Sequence, residues 1–176
     1  MGKSSTAKTL LSMVVNSAYI DADCCRAINP FQFTIETKKT VTENIYCLIH
    51  NYLKCIDIKT VIFPYSFHGE RKEIWDNVVK KLHEQNLEFE ICSVILKCSR
   101  EENIRRARRD NRDESRIKRG MLNTYDFYDD KKYPVIDTTN MNESEVAEKI
   151  VNLCKLEVKM KKIGLGMNWD KRNGSL

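Results

Sequence analysis

The chain has 176 residues, of which 41% are hydrophobic and 31% charged, and it carries a net charge of +5. That length suits one α/β domain with its own core and is short for two, and the mixture is not that of a disordered or fibrous protein. No apolar run reaches the roughly 18 residues needed to span a bilayer, no signal-peptide pattern opens the chain, and the small positive excess favours anionic ligands without selecting one.

In chain order, Gly2 to Asn16 reads as a helix entry and a helix, with Ser4 and Ser5 as caps and Leu10, Leu11, Val14 and Val15 as its apolar stripe. Residues 17–21 (SAYID) form a short extended run ending in an acid, and Asn29-Pro30 breaks the chain. Thr34 to Leu53 is expected to be a helix capped by Thr34 or Thr37, with Ile35, Ile45, Leu48, Ile49 and Leu53 in the core. Lys59 to Tyr65 (KTVIFPY) reads as a buried strand. Gly69 to Asn86 is an amphipathic helix with Ile74, Val78, Val79 and Leu82 on one face, and Phe89 to Lys97 is a further strand. Arg100 to Tyr128 is charged and mostly helical, Tyr133 to Asp137 is a short strand, and Glu143 to Cys154 is a helix with Val146, Ile150, Val151 and Cys154 inward. The tail from Lys155 to Leu176 is basic, then Gly-rich, and is expected to fray or to prolong the last helix.

Strands therefore alternate with helices, which implies an α/β fold with a mostly parallel sheet. Val61-Ile62-Phe63 and Val94-Ile95-Leu96 are continuous apolar runs, as strands buried on both faces require. The seven cysteines are scattered and form no C-x-x-C, so the expectation is free thiols in a reducing, cytoplasmic setting and no structural zinc.

Gly2-Lys3-Ser4 matches the closing G-K-[ST] of the phosphate loop G-x-x-x-x-G-K-[ST], and a helix follows at once. The chemistry of that fragment is definite. Amides at a helix start attract phosphate oxygens. On this motif Gly2, Lys3, Ser4 and Ser5 would form the cradle, Lys3 would reach the β- and γ-phosphates and Ser4 would ligate Mg²⁺. With no residue before Met1, the expectation is a loop without its upstream strand and first glycine, unless the chain starts further upstream, the sheet closes differently or another segment fills the gap. Their loss would leave two neighbouring strands without their usual partner, and half of the amide cradle with it.

Beyond G-K-S-S-T-A-K-T-L-L the chain carries Y-I-D-A-D, T-V-I-F-P-Y, C-S-R-E-E-N-I-R-R-A-R-R and V-I-D-T-T-N in that order. With these pieces it resembles the small P-loop kinases and phosphotransferases, a group that includes shikimate and gluconate kinases, chloramphenicol phosphotransferase and tunicamycin-resistance-type proteins. The resemblance runs from Gly2 to about Cys154. It implies a P-loop NTPase-like three-layer α/β/α sandwich with a parallel sheet, here with its first strand apparently missing. It also implies a kinase-like domain over 1–154, with an Arg-rich lid at about 100–128, followed by a basic tail over 155–176.

In the same way the resemblance implies ATP and Mg²⁺ as cofactors, Asp21 toward the metal and Asp23 toward the acceptor hydroxyl. In a strand, residues two apart share a face, so both carboxylates are expected to look into one site. Of the lid arginines, Arg109 and Arg112 are the expected catalytic pair and Arg106 the next contact to nucleotide, because a planar guanidinium grips phosphate bidentately. Thr139 borders adenine on this reading, or else caps the next helix together with Asn140. His68, Phe31 and Phe33 are weaker candidates around the acceptor pocket, and a solvated charged helix accounts for most of the arginines.

The reading that results is ATP-dependent phosphoryl transfer to a small-molecule hydroxyl on a nucleoside, metabolite or antibiotic. The alternative is a non-catalytic protein that keeps the P-loop fold and has lost nucleotide binding. Nucleic acid is not the expected partner, because no aromatic stacking platform accompanies the arginines. Neither the acceptor nor the oligomeric state is legible.

Overall fold

The structure, a computed structural model, describes residues 2–123, 127 and 133–159. Among them lie six α-helices and four short strands, in the order α1 (Lys3–Met13), β1 (Ser17–Tyr19), α2 (Ile35–Lys54), β2 (Thr60–Ile62), α3 (Glu70–His83), β3 (Ile95–Lys97), α4 (Arg100–Arg109), α5 (Glu114–Asn123), β4 (Val135–Asp137) and α6 (Glu143–Cys154). A 3-10 turn at Cys24–Arg26 follows β1. The chain is thus mixed α/β.

The strands form two parallel pairs. β1 lies against β2 with Ala18 opposite Val61, and β3 lies against β4 with Leu96 opposite Ile136. Among the described residues no ladder joins β2 to β3.

Alternation along β2 divides the core. Ile62 packs with Ala7, Leu10 and Val14 of α1 and with Val146, Ala147, Ile150 and Val151 of α6, where Ile136 of β4 joins them. Val61 and Phe63 point the other way, toward Val41, Ile45 and Ile49 of α2 and Ile74, Val78 and Leu82 of α3. Helices therefore cover both faces of β1–β2.

Local signals explain most element starts. Thr34 caps α2 by accepting from the Thr37 amide, and the Thr37 hydroxyl accepts from the Thr34 amide in return, a complete capping box. Asn142 and Glu145 do the same for α6. Ser99 caps α4.

Several expectations change. Ser4 and Ser5 lie in the first turn of α1 rather than capping it; the cap position is Gly2, and no side chain bonds there. Ile35 and Leu48 are 80% and 40% exposed, so they leave the predicted core of α2. The strand expected over 89–97 shrinks to Ile95–Lys97. The charged segment from Arg100 splits into α4 and α5 around Asn111, whose φ of 53° is left-handed. Part of the stretch between residues 123 and 133, including Tyr128, lies outside the described residues.

The tail neither prolongs α6 nor frays at once. Lys155 turns left-handed, and Glu157 and Lys159 bond antiparallel to Val15 and Met13 beside a Val14–Val158 bridge. Its remainder, from 160 on, is outside the described residues. Cys92 and Cys154 are joined in a disulfide, against the expectation of free thiols throughout. Cys24, Cys25, Cys47, Cys55 and Cys98 are free. Among the described residues no helix is long and apolar enough to cross a membrane.

Candidate functional site: the opening turn of α1 and its cationic surroundings

Gly2 enters α1 with φ 63° and ψ 9°. An added Cβ would meet nothing within 4 Å, so the backbone angle rather than crowding favours glycine there. The first turn of α1 has no acidic residue and no capping side chain. Its leading amides, at Lys3, Ser4 and Ser5, have no intrahelical acceptor, which leaves a donor set suited to an anion.

The half-buried Lys3 ammonium is held below its usual pKa. Loss of water is the main cause, and the charges of Arg112, Arg71 and Arg26 add to it, while Asp23 acts in the opposite sense. Lys3 thus shares its surroundings with three arginines that the chain delivers from the turn after β1, the start of α3 and the α4–α5 junction. The opening turn and Asp23 also stand within electrostatic reach of each other.

The two aspartates do not sit on a strand. β1 ends at Tyr19, and Asp21 and Asp23 occupy the turn beyond it. The Asp21 carboxylate accepts from the Asp23 amide at 2.9 Å, so it folds onto its own backbone as short acidic side chains do in turns. Asp23 pairs through Oδ1 with the Arg26 guanidinium, at 3.1 Å from Nε, and its side chain is 77% exposed. The pattern predicted one shared strand face; a turn replaces it because pairing with β2 stops at Tyr19–Ile62.

Beside Asp21, the Tyr19 hydroxyl is buried and forms no hydrogen bond of full geometry among the described residues. Its polar neighbours are the Asp21 carboxylate and the Ser4 hydroxyl, and burial, followed by the Asp21 charge, raises its pKa. The Ser4 hydroxyl and the Asp21 carboxylate near Tyr19 are oxygen donors. Such hard donors suit Mg²⁺, which takes few protein ligands and keeps several waters. Among the described residues no group of three or more His, Cys, Asp or Glu converges as a richer metal site would require.

On the other side of Gly2 a cleft of about 370 Å³ opens between α1 and α4, lined by Gly2, Ser5, Arg106, Arg109 and Thr139 among others. Arg106 forms part of its wall and is 14% exposed. It donates to Glu102 at 2.6 Å and to the Thr138 carbonyl at 2.7 Å, and so ties α4 to the end of β4. The Thr139 hydroxyl accepts from the Ser99 amide at 2.9 Å and donates to Asp137 at 2.6 Å, which stitches the two turns together. Arg109 is 63% exposed and Arg112 46%, and each comes no nearer than 3.9 Å to Asp110.

Of the residues expected at the site, Asp23 and Arg112 lie within electrostatic reach of Lys3. Sequence reasoning missed Tyr19, Arg26 and Arg71. Tyr19 is signalled only by alternation in S-A-Y, and the two arginines only by their position just past strands β1 and β2. Cys25 beside them is no reactive thiolate, because burial pushes its pKa up. No family model matches the chain, and no curated protein matches it.

Proposed function

We propose that the chain is a P-loop-type kinase domain that transfers the γ-phosphoryl group of ATP to a hydroxyl of a small molecule. The observation that supports this reading is the helix start at Gly2, uncapped and without an acid in its first turn, where Lys3 lies within electrostatic reach of Asp23 and Arg112. The two parallel strand pairs, with helices on both faces of β1–β2, also support a three-layer sandwich.

Each residue has a task on this reading. The amides of Lys3 to Ser5 and the Lys3 ammonium bind the phosphates. Ser4 and Asp21 would hold Mg²⁺, which when bound offsets phosphate charge. Asp23 accepts the proton of the attacking hydroxyl; its Oδ1 is engaged with Arg26, while Oδ2 accepts nothing among the described residues. As the hydroxyl oxygen bonds to the γ-phosphorus, the bond to the β,γ-bridging oxygen breaks and ADP leaves. Arg112 and Arg109 come from the α4–α5 region, where half-exposed guanidinium groups retain donors for the charge that develops on the phosphoryl oxygens. Arg106 acts as a strut of the nucleotide cleft rather than as a free contact, since Glu102 and Thr138 already take its donors.

Thermal denaturation with and without Mg²⁺ and a non-hydrolysable ATP analogue tests this. The analogue should stabilise the full chain, and Lys3→Ala should abolish the gain. No stabilisation of the unsubstituted chain would favour a P-loop-type fold that has lost nucleotide binding.

A further inference from the structure

The net charge of the molecule is concentrated in one place. Residues 100–123, which span α4, α5 and the turn between them, carry nine Arg and Lys against five Asp and Glu. Of the chain's 30 and 25 that leaves 21 against 20 elsewhere, so this segment holds +4 of the net +5. The two helices differ in how the charge is matched. In α4, Arg105 and Arg106 pair with Glu102, and Arg108 reaches Glu114 at the start of α5. In α5, Arg116, Lys118 and Arg119 are all exposed, and among the described residues none of them forms an ion pair. The carboxylates nearest in sequence are engaged: Glu114 holds Arg108, and Asp113 accepts from the Ser115 hydroxyl and, at 2.8 Å, from the Arg116 amide.

Helix geometry gathers the three cations on one face. Turning about 100° per residue, α5 places Lys118, Arg119 and Arg116 in that order over roughly 160° of its circumference. Ile117, its buried residue, lies on the opposite side. Gly120 adjoins Arg116 on the outer surface. An added Cβ there would meet nothing within 4 Å, so the chain's own packing does not need the glycine, and its bare backbone lets a second molecule come close. Neither feature helps α5 itself. Like charges on one face oppose helix formation, glycine lowers helix propensity, and a helix of 10 residues with Ile117 as its buried side chain has little packing to offset them. The fold does not explain their presence.

We propose that the outer face of α5, with Arg116, Lys118 and Arg119, docks on the phosphate backbone of a double-stranded nucleic acid, irrespective of base sequence. A guanidinium fork grips phosphate oxygens bidentately, and a duplex offers phosphates densely enough for three cations on one helix face to be met together. The aromatic platform whose absence counted against nucleic acid is a need of unstacked single strands; a duplex held by its backbone has no use for one. An anionic membrane is the poorer fit. Leu122 is 74% exposed on the same face, but one leucine is not the apolar face by which an interfacial helix sinks among headgroups. The proposal stands apart from the kinase reading, which employs Arg109 and Arg112 and none of these three.

The test uses the full chain and short labelled duplexes of mixed sequence, DNA and RNA in separate arms, followed by fluorescence anisotropy over a salt series. The logarithm of the affinity should fall against the logarithm of salt concentration with a slope of about −3, one phosphate per cation. Arg119→Gln should make that slope shallower by about 1. Arg116→Gln, Lys118→Gln and Arg119→Gln together should abolish binding. The three side chains are exposed, so the triple variant should keep the circular dichroism of the parent chain; if it does not, the slope of the single variant decides. Binding of one duplex and not the other upholds the proposal and names the nucleic acid. No binding of either duplex at low salt, or an unchanged slope in Arg119→Gln, overturns it. Binding to vesicles of phosphatidylserine and phosphatidylcholine that is lost in Leu122→Ala, with both duplexes unbound, also overturns it and assigns the face to a membrane.

Discussion

The two strand pairs are built alike and buried differently. β1–β2 lies between α1 and α6 on one side and α2 and α3 on the other, and the residues that close this core, Ile45, Ile74, Val78 and Leu82, are at most 2% exposed. β3–β4 buries Ile136 against α1 and α6, but its neighbour Val135 is 54% exposed. The difference shows where stability resides and where covalent and ionic ties substitute for burial. The better covered half holds the fold. The less covered half is fastened by the Cys92–Cys154 disulfide and by Arg106, which links α4 to the end of β4. That second half also carries the arginines expected to close on phosphate, a task that favours weakly packed segments.

Three measurements sharpen the contrast. The disulfide has the largest expected effect. It closes a separation of 62 residues, and a loop of that size constrains the unfolded chain by about 4 kcal/mol in the chain-entropy account. Urea denaturation with and without reductant should show a loss of that order, and Cys92→Ser should reproduce it. Identical midpoints under both conditions would show that β3–β4 does not depend on the tie. Next comes Ile45→Ala at a site of 0% exposure, which should cost about 3 kcal/mol through lost burial and a residual cavity. Val135→Ala, its counterpart in the other half, should stay within about 0.5 kcal/mol. Comparable losses at the two positions would erase the difference between the halves.

How much of this was legible follows from which forces are local. The helical periods of 34–53 and 69–86 gave α2 and α3, and the Thr34–Thr37 cap was readable because capping is a matter of three residues. Ile35 and Leu48 misled, because periodicity marks an apolar face without saying that a partner covers all of it. The strand over 89–97 was overestimated for a related reason. Phe89 packs on the α2–α3 cluster and Cys92 on Cys154, so tertiary contacts take those residues out of any ladder. The D-x-D pair was read on a strand that stops two residues earlier, where pairing ends. The disulfide was invisible, since spacing alone does not pair scattered cysteines. At the candidate site the G-K-S fragment at the start of α1 was legible. Arg26 and Arg71 were not, because only the folding of two separate turns brings them to Lys3.

The smallest expected effect concerns the ionic tie, and its direction is set by Glu102. Hydrogen bonds from Arg105 and Arg106 hold the Glu102 carboxylate at a pKa of about 2, against 4.5 for the free group. A carboxyl group whose pKa is depressed by folding contributes stability that is complete above its unfolded value and disappears as pH falls through the folded one. The pairing of Glu102 with Arg105 and Arg106, which lies within α4 and holds Arg106 in place, is therefore intact at neutral pH and is lost between pH 4.5 and about 2. Because the surroundings of the pair are in part open to water, screening keeps the contribution modest. Acid titrations followed by circular dichroism should find the native chain losing stability in this window more steeply than Glu102→Gln, which has no proton to take up at that position. Hydrogen exchange in the same window should show the amides of α4 opening before those of α2 and α3, since the first depend on the Arg106 tie and the second on Ile45, Ile74 and Val78. Simultaneous opening of α4 and α2 would mean that the two halves unfold as one cooperative unit, with burial in β1–β2 holding β3–β4 in place even after the Glu102 pairs of α4 are weakened.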